Sequence, residues 1–209
     1  MDTFAPTKGE ARRSAAVERP LRVLIVAPKH AVGGHAHAAR DIVRGLDGHA
    51  GFQVGLEAID PRLPGRWRFL TEWKLIRSLV RPALYCRKLF RAAARVDVLH
   101  VFAAAHTAFL FGALPALVIA KWFRRPLILN YHDGRAEAHF RWWGPLLRWA
   151  ARRSTLLVFP SVYLQQVFRR RGFDGIVVRQ HCGNDLAMAG IGDAGGGLGA
   201  LSDQRFHLR

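Results

Sequence analysis

The sequence predicts an α/β protein built on an open, Rossmann-like parallel sheet with helices on both faces. Three observations carry that prediction. Short continuous apolar runs recur along the chain, the pattern of strands buried on both faces. Segments with helical apolar spacing separate them. The strict alternation of the two then calls for right-handed crossovers between parallel strands. At 209 residues the chain suits one such domain with additional ends.

The elements follow in order from residue 21. "LRVLIVAP" is the first strand, ended by proline, and "GGHAHAARDIVRGL" follows as a helix with apolar Ala38, Ile42, Val43 and Leu46 on one side. "FQVGLEAID" is the second strand. "VDVLHVF", "PLILNYH", "STLLVFP" and "GIVV" complete a set of six. Between them, "HTAFLFGALPALVIAKWF", "WWGPLLRWAARR" and "SVYLQQVFRRRG" are helix-like, the last capped by Ser161 and ended by Gly172. Residues 101–120 have the length and apolarity of a membrane span, but they begin inside a strand pattern and carry His106 and Pro115. A buried strand followed by a core helix fits them better.

Residues 61–95 interrupt the rhythm between the second and third strands. Lys74, Arg77, Arg81, Lys88, Arg91 and Arg95 recur at three, four or seven residues, so they share one face of a helix in which Pro82 introduces a kink. Trp73, Ile76, Leu79, Val80, Leu84 and Phe90 occupy its other sides. Such a helix is expected to contact an anionic membrane surface through Lys74, Arg77, Arg81, Lys88 and Arg91. An ordinary crossover helix with a solvated basic face has the same pattern.

Composition narrows the partners. Half of the residues are hydrophobic, as in a globular protein, and 32 Lys+Arg against 15 Asp+Glu give a net charge of +17. That balance favours anionic partners, although GC-rich coding alone also enriches Arg, Ala and Gly. No zinc finger, RNP aromatic motif or basic region with heptads is present, so nucleic acid is not expected as a partner. Cys86 and Cys182 form neither a disulfide framework nor a metal-ligand spacing, and the cytoplasm is the expected compartment. The polar residues 1–20 read as a disordered leader with no apolar signal core.

In an open parallel sheet, ligands bind beyond the carboxyl ends of the strands. After the first strand, Gly33 and Gly34 let the backbone approach a ligand, and the helix that follows offers free N–H groups. No GxGxxG is present, which weakens a dinucleotide reading. After "PLILNY" come His132, Asp133 and Gly134. His132 can donate to a substrate oxygen, and Asp133 can orient it or accept a hydroxyl, while Asp-Gly is also a common turn pair. His35, His37, His106 and His139 make no metal spacing, and no metal or resident cofactor is expected. The pair Trp142–Trp143 beside Arg141 is expected to pack a helix against the sheet.

The order of these landmarks is a GG loop, then "DVLHVF", then "LNYHDG", then "LLVFPSVYLQQVFRRRGFDGIVV". It resembles the N-terminal, acceptor-side domain of family-4 retaining glycosyltransferases of the GT-B fold, over residues 21–178. The resemblance implies a cleft shared with a donor-binding domain, a nucleotide sugar as donor, and a glycan or lipid-linked acceptor. It places Gly33 and Gly34 at the cleft and likens His132 to the family histidine that contacts the donor sugar near the reacting carbon. Asp133 and Gly134 complete that loop. It also implies action at the inner face of the membrane, in polysaccharide biosynthesis among other settings.

The family's donor domain carries Glu-x7-Glu. Here only Glu10 and Glu18 have that spacing, and they lie in the leader. Beyond Val178 the pattern ends in a Gly/Ala-rich run, so residues 179–209 are expected to be a disordered tail. Read one base later, codons for Gln180-His181-Cys182 spell Asn or Ser, then Ile or Thr, then Val or Ala. The family continues with a short segment such as Asn-Ile-Val or Asn-Gly-Ile and then an acidic residue, and Asn-Ile-Val is among those choices, so a frameshift near Arg179 is the expectation, with little or no sugar transfer by the chain alone.

Overall fold

A computed structural model describes residues 19–28, 34–49, 51–61 and 74–178, without the side chains of residues 35 and 74–79. The leader up to residue 18, Gly33, the side chains of Lys74 and Arg77, and residues 179–209 therefore lie outside the described residues.

The elements are β1 (Leu21–Ala27), α1 (Gly34–Leu46), β2 (Phe52–Ala58), α2 (Lys74–Ala93), β3 (Val98–Ala103) and a π-helical turn (Phe109–Ala113). That turn runs into α3 (Leu114–Trp122), followed by β4 (Leu127–Tyr131), α4 (Ala136–Arg153), β5 (Leu156–Phe159), α5 (Val162–Arg169) and β6 (Ile176–Val177). All six expected strands are present in one sheet, ordered β2-β1-β3-β4-β5-β6, and every pairing is parallel. The fold is α/β and Rossmann-like.

Strand order explains how the helices are shared between the faces. The first crossover runs from β1 to β2 in one direction, and every later crossover steps the other way. Right-handed connections then put α1 on one face and α2 to α5 on the opposite face. The core divides accordingly. Leu24 and Val26 of β1 join Tyr85, Leu89, Phe109, Phe140, Leu147 and Phe168 in the larger cluster. The alternate residues Val23, Ile25 and Ala27 pack with Ala38 and Ala39 of α1 and Phe102 of β3. Period-two alternation in a doubly covered strand produces both sets.

Local chemistry fixes the ends. Ser161 Oγ accepts from Leu164 N at 3.4 Å and caps α5, and Gly172 closes it with φ +82°, as the sequence predicts. At the amino ends of β1 and β3, Arg22 donates its backbone N, Nε and Nη2 to Asp97 at 3.0–3.2 Å. The Arg22 hydrogen bonds hold the Asp97 carboxyl down at about 2. α2 continues through Pro82. No described helix is long and apolar enough to cross a membrane, and residues 101–120 form the expected strand and core helix, with Phe109, Ala113, Ala116 and Leu117 buried.

One expectation is corrected. Trp142 does not pack α4 against the sheet, because its side chain is largely exposed. α4 bends at Trp143, where φ is −123°, two residues before Pro145. Proline removes a helical donor and clashes with the preceding turn, which is the physical cause of the bend.

Candidate functional site

The connections leaving β1 and β3 run in opposite directions, so the switch point of the sheet lies between these neighbouring strands. A crevice forms at such a point, beyond the carboxyl ends of the strands. The loops after β3 and β4 and the start of α1 lie at those ends. Gly34 opens α1 at its edge and faces open space, and the first turn of α1 holds no acidic side chain to compete for its free N–H groups.

His132 extends β4 by one residue, since its N–H donates to Ala103 O at 2.9 Å. Its half-buried ring lies 5.1 Å from that of Phe102, tilted by 44°. Phe102 belongs to the cluster packed beneath α1, so the imidazole sits on the α1 face of the sheet. Nε2 has almost no solvent contact.

Asp133 has a different position from the one its sequence context suggests. Its Oδ1 accepts from Arg135 N at 2.9 Å and Nε at 3.1 Å, and its Oδ2 accepts from Arg135 Nη2 and Ala105 N, each at 3.0 Å. Burial works to raise this carboxyl's pKa, but the hydrogen bonds from Arg135 and Ala105 outweigh it and hold the group well below the usual carboxylate range. With four donors converging on it, the carboxylate is a brace between the loops after β3 and β4 and leaves no strong base for a substrate proton. Gly134 in the same turn is exposed, with open space around it.

Arg135, which sequence reasoning passed over, and His106 and His139, read there only as making no metal spacing, stand around the loops after β3 and β4. Arg135 is fixed by Asp133 through Nε and Nη2, yet its side chain is 68% exposed, so the guanidinium is oriented and open to solvent. His106, after β3, holds a left-handed backbone with φ +57°, an unusual conformation for a residue with a side chain. Its ring lies 5.4 Å from that of His139, which is buried in the first turns of α4. His139 Nδ1 lies 2.9 Å from the Tyr131 hydroxyl. Burial, and then His106, lower the His139 pKa to about 4, so this imidazole is neutral near pH 7. Burial likewise pushes the Tyr131 hydroxyl far up. The tripeptide Asp-Gly-Arg was the available signal for Arg135, whereas the His106–His139 approach depends on topology.

Deeper on the same face as His132, Asn130 Nδ2 lies 3.1 Å from His100 Nε2, which makes that nitrogen the acceptor of a neutral ring. Burial lowers the His100 pKa to about 4. Among the described residues, no group of three or more His, Cys, Asp or Glu could hold a metal ion. Of the expected membrane-contact residues whose side chains are described, Arg81, Lys88 and Arg91 are exposed on α2, away from the crevice.

Fold and crevice together define an α/β protein of the Rossmann-like class, with a braced polar loop at its switch point. No protein-family model matches the chain, and no curated protein matches it in sequence.

Proposed function

We propose that the chain is the acceptor-side domain of a family-4, GT-B-type retaining glycosyltransferase, moving a sugar from a nucleotide sugar to a glycan or lipid-linked acceptor when paired with a donor-binding domain. The observation that carries this reading is the braced loop His132–Arg135 at the switch point, where the motif "LNYHDG" ends β4. In such a transfer the bond from the anomeric carbon to the leaving phosphate oxygen breaks. A bond to the acceptor hydroxyl oxygen forms on the same face of the sugar, and the hydroxyl proton passes to the departing phosphate.

The residues here supply position and charge. His132 borders the place of the reacting sugar, Asp133 holds the loop, and Arg135 presents a fixed cation to a phosphate or acidic sugar. The open first turn of α1 adds N–H donors on the other side of the crevice. Positioning and electrostatic stabilisation by a second domain complete the transfer, so the chain alone turns over slowly or not at all. Incubation of the purified chain with a panel of nucleotide sugars and glycan or polyprenyl-phosphate acceptors tests this division. The expected result is no product without a donor-binding domain, and clear turnover by the chain alone would overturn it.

A further inference from the structure

The outward surface of α2, α3 and α4 is sorted by chemistry. α3 is the middle helix of that layer. On one side Phe90 of α2 meets Phe123 edge-on, with ring centroids 4.7 Å apart. On the other side His139 of α4 packs against Phe109, 5.1 Å away. The solvent-facing ridge between these contacts carries Phe111, 54% exposed, Val118, 51%, and Trp122, 74%. Val118 and Trp122, four residues apart, share one face of α3, and Phe111 is exposed on the π-helical turn that leads into it. From 109 to 122 the only charged residue is Lys121. On α4, Trp142 follows His139 by three residues, so it shares the flank that faces α3, and it is 70% exposed.

The outer flanks are basic. Arg141, Arg148 and Arg152 recur at seven and four residues along α4 and are all exposed. Arg141 lies over the Trp142 ring, 5.4 Å from its centroid. On α2, Arg81, Arg87, Lys88 and Arg91 are exposed. An aromatic centre is thus bordered by a cationic rim on each side.

We propose that this helix layer rests on an anionic lipid bilayer, with Phe111, Val118, Trp122 and Trp142 entering the headgroup region and the rims of α2 and α4 holding lipid phosphates. Isolated exposed apolar residues are ordinary, but four large ones exposed on two adjoining helices offer an apolar binding surface. Tryptophan settles at membrane–water boundaries because one end of its ring is apolar and the other donates a hydrogen bond. Arginine and lysine beside such an apolar stripe gain attraction from anionic headgroups. A second copy is the poorer occupant, since pairing this face with itself opposes two cationic rims on chains of charge +17. No described helix can span, so the layer lies on the surface. The basic face of α2 supplies one border of the contact, and α3 supplies its apolar centre. The proposal rests on the helix layer and stands apart from the sugar-transfer reading of the crevice.

The test is co-sedimentation of the full chain with vesicles of phosphatidylcholine alone and of phosphatidylcholine with phosphatidylglycerol. Binding is expected to the anionic vesicles and to weaken with salt. The double variant Phe111→Ser, Trp122→Ser is expected to partition about tenfold more weakly, with an unchanged circular dichroism spectrum because both side chains are already exposed. Arg148→Glu with Arg152→Glu is expected to remove the preference for phosphatidylglycerol. Brominated lipid is expected to quench tryptophan fluorescence in the wild type and less in Trp122→Phe, Trp142→Phe. Undiminished vesicle binding by the serine variant would overturn the proposal. So would a wild-type chain that binds duplex DNA or an acidic protein but no vesicle.

Discussion

Replacing Asp133 with Asn separates the brace from the crevice it organises. The substitution keeps size and shape but turns one acceptor oxygen into a donor and removes the charge. Wild-type Asp133 is 11% exposed at its side chain and accepts four hydrogen bonds. The Arg135 contacts face solvent, where screening leaves an ion pair worth little. Asn keeps one acceptor oxygen and turns its NH2 towards donors that the carboxylate satisfied, either the buried Ala105 N–H or those of Arg135, so the expected loss is about 1–3 kcal/mol. Urea unfolding at pH 7 followed by tryptophan fluorescence measures it, and amide exchange of Ala105 localises it. The sign with pH follows from the depressed folded pKa of Asp133. Its contribution is fully present above the unfolded carboxylate value near ~4 and is lost as pH falls below it. The gap between wild type and Asp133→Asn therefore narrows towards pH ~3. An unchanged midpoint at pH 7, with Ala105 exchange unaltered, would refute the reasoning.

Other substitutions probe the frame around the crevice. Gly175→Ala puts a Cβ 2.5 Å from Leu157 O and 2.7 Å from the Phe159 ring, a clash with fixed backbone. A loss of about 1–3 kcal/mol in thermal unfolding is expected, and a wild-type melting curve would contradict it. Tyr131→Phe leaves buried His139 Nδ1 without the hydroxyl and is expected to cost about 1–3 kcal/mol by urea titration. Phe168→Ala empties the ring cluster of Tyr131, Phe140 and Phe159, with an expected loss of about 3–5 kcal/mol. His100 and His139 are held neutral by burial, each at about 4, so the unfolded chain takes up protons first. Stability is then expected to fall as pH drops from the unfolded histidine value near ~6.5 towards ~4, and NMR titration of both rings near ~6.5 would rule this out.

The sheet was legible because strands buried on both faces leave unbroken apolar runs, and each run became a strand. The caps of α5 were legible for the same local reason. Side-chain placement was less so. Nothing local distinguishes Trp142, which is exposed, from Trp149, which is half-buried against the core. The bend at Trp143 and the neighbouring helix α3 decide between them. Asp133 reads as a ligand-binding acid from its place after β4, but Ala105, its buried donor, is 28 residues away and arrives only through the β3–β4 pairing. The same pairing brings His106 to His139. The ridge Phe111, Val118, Trp122 is periodic in the sequence, yet the periodicity does not say which side of α3 the sheet covers.

The crevice is tested most directly by backbone amide shifts of the full chain as nucleotide sugars, glycans and polyprenyl-phosphate analogues are added. The account predicts shifts gathered at Ala105, His106 and His132–Arg135 with at least one ligand of this panel. They are expected to be lost in His132→Ala and weakened in Arg135→Ala, with the remaining spectrum preserved. Shifts confined to another surface, or undiminished binding by both variants, would contradict it.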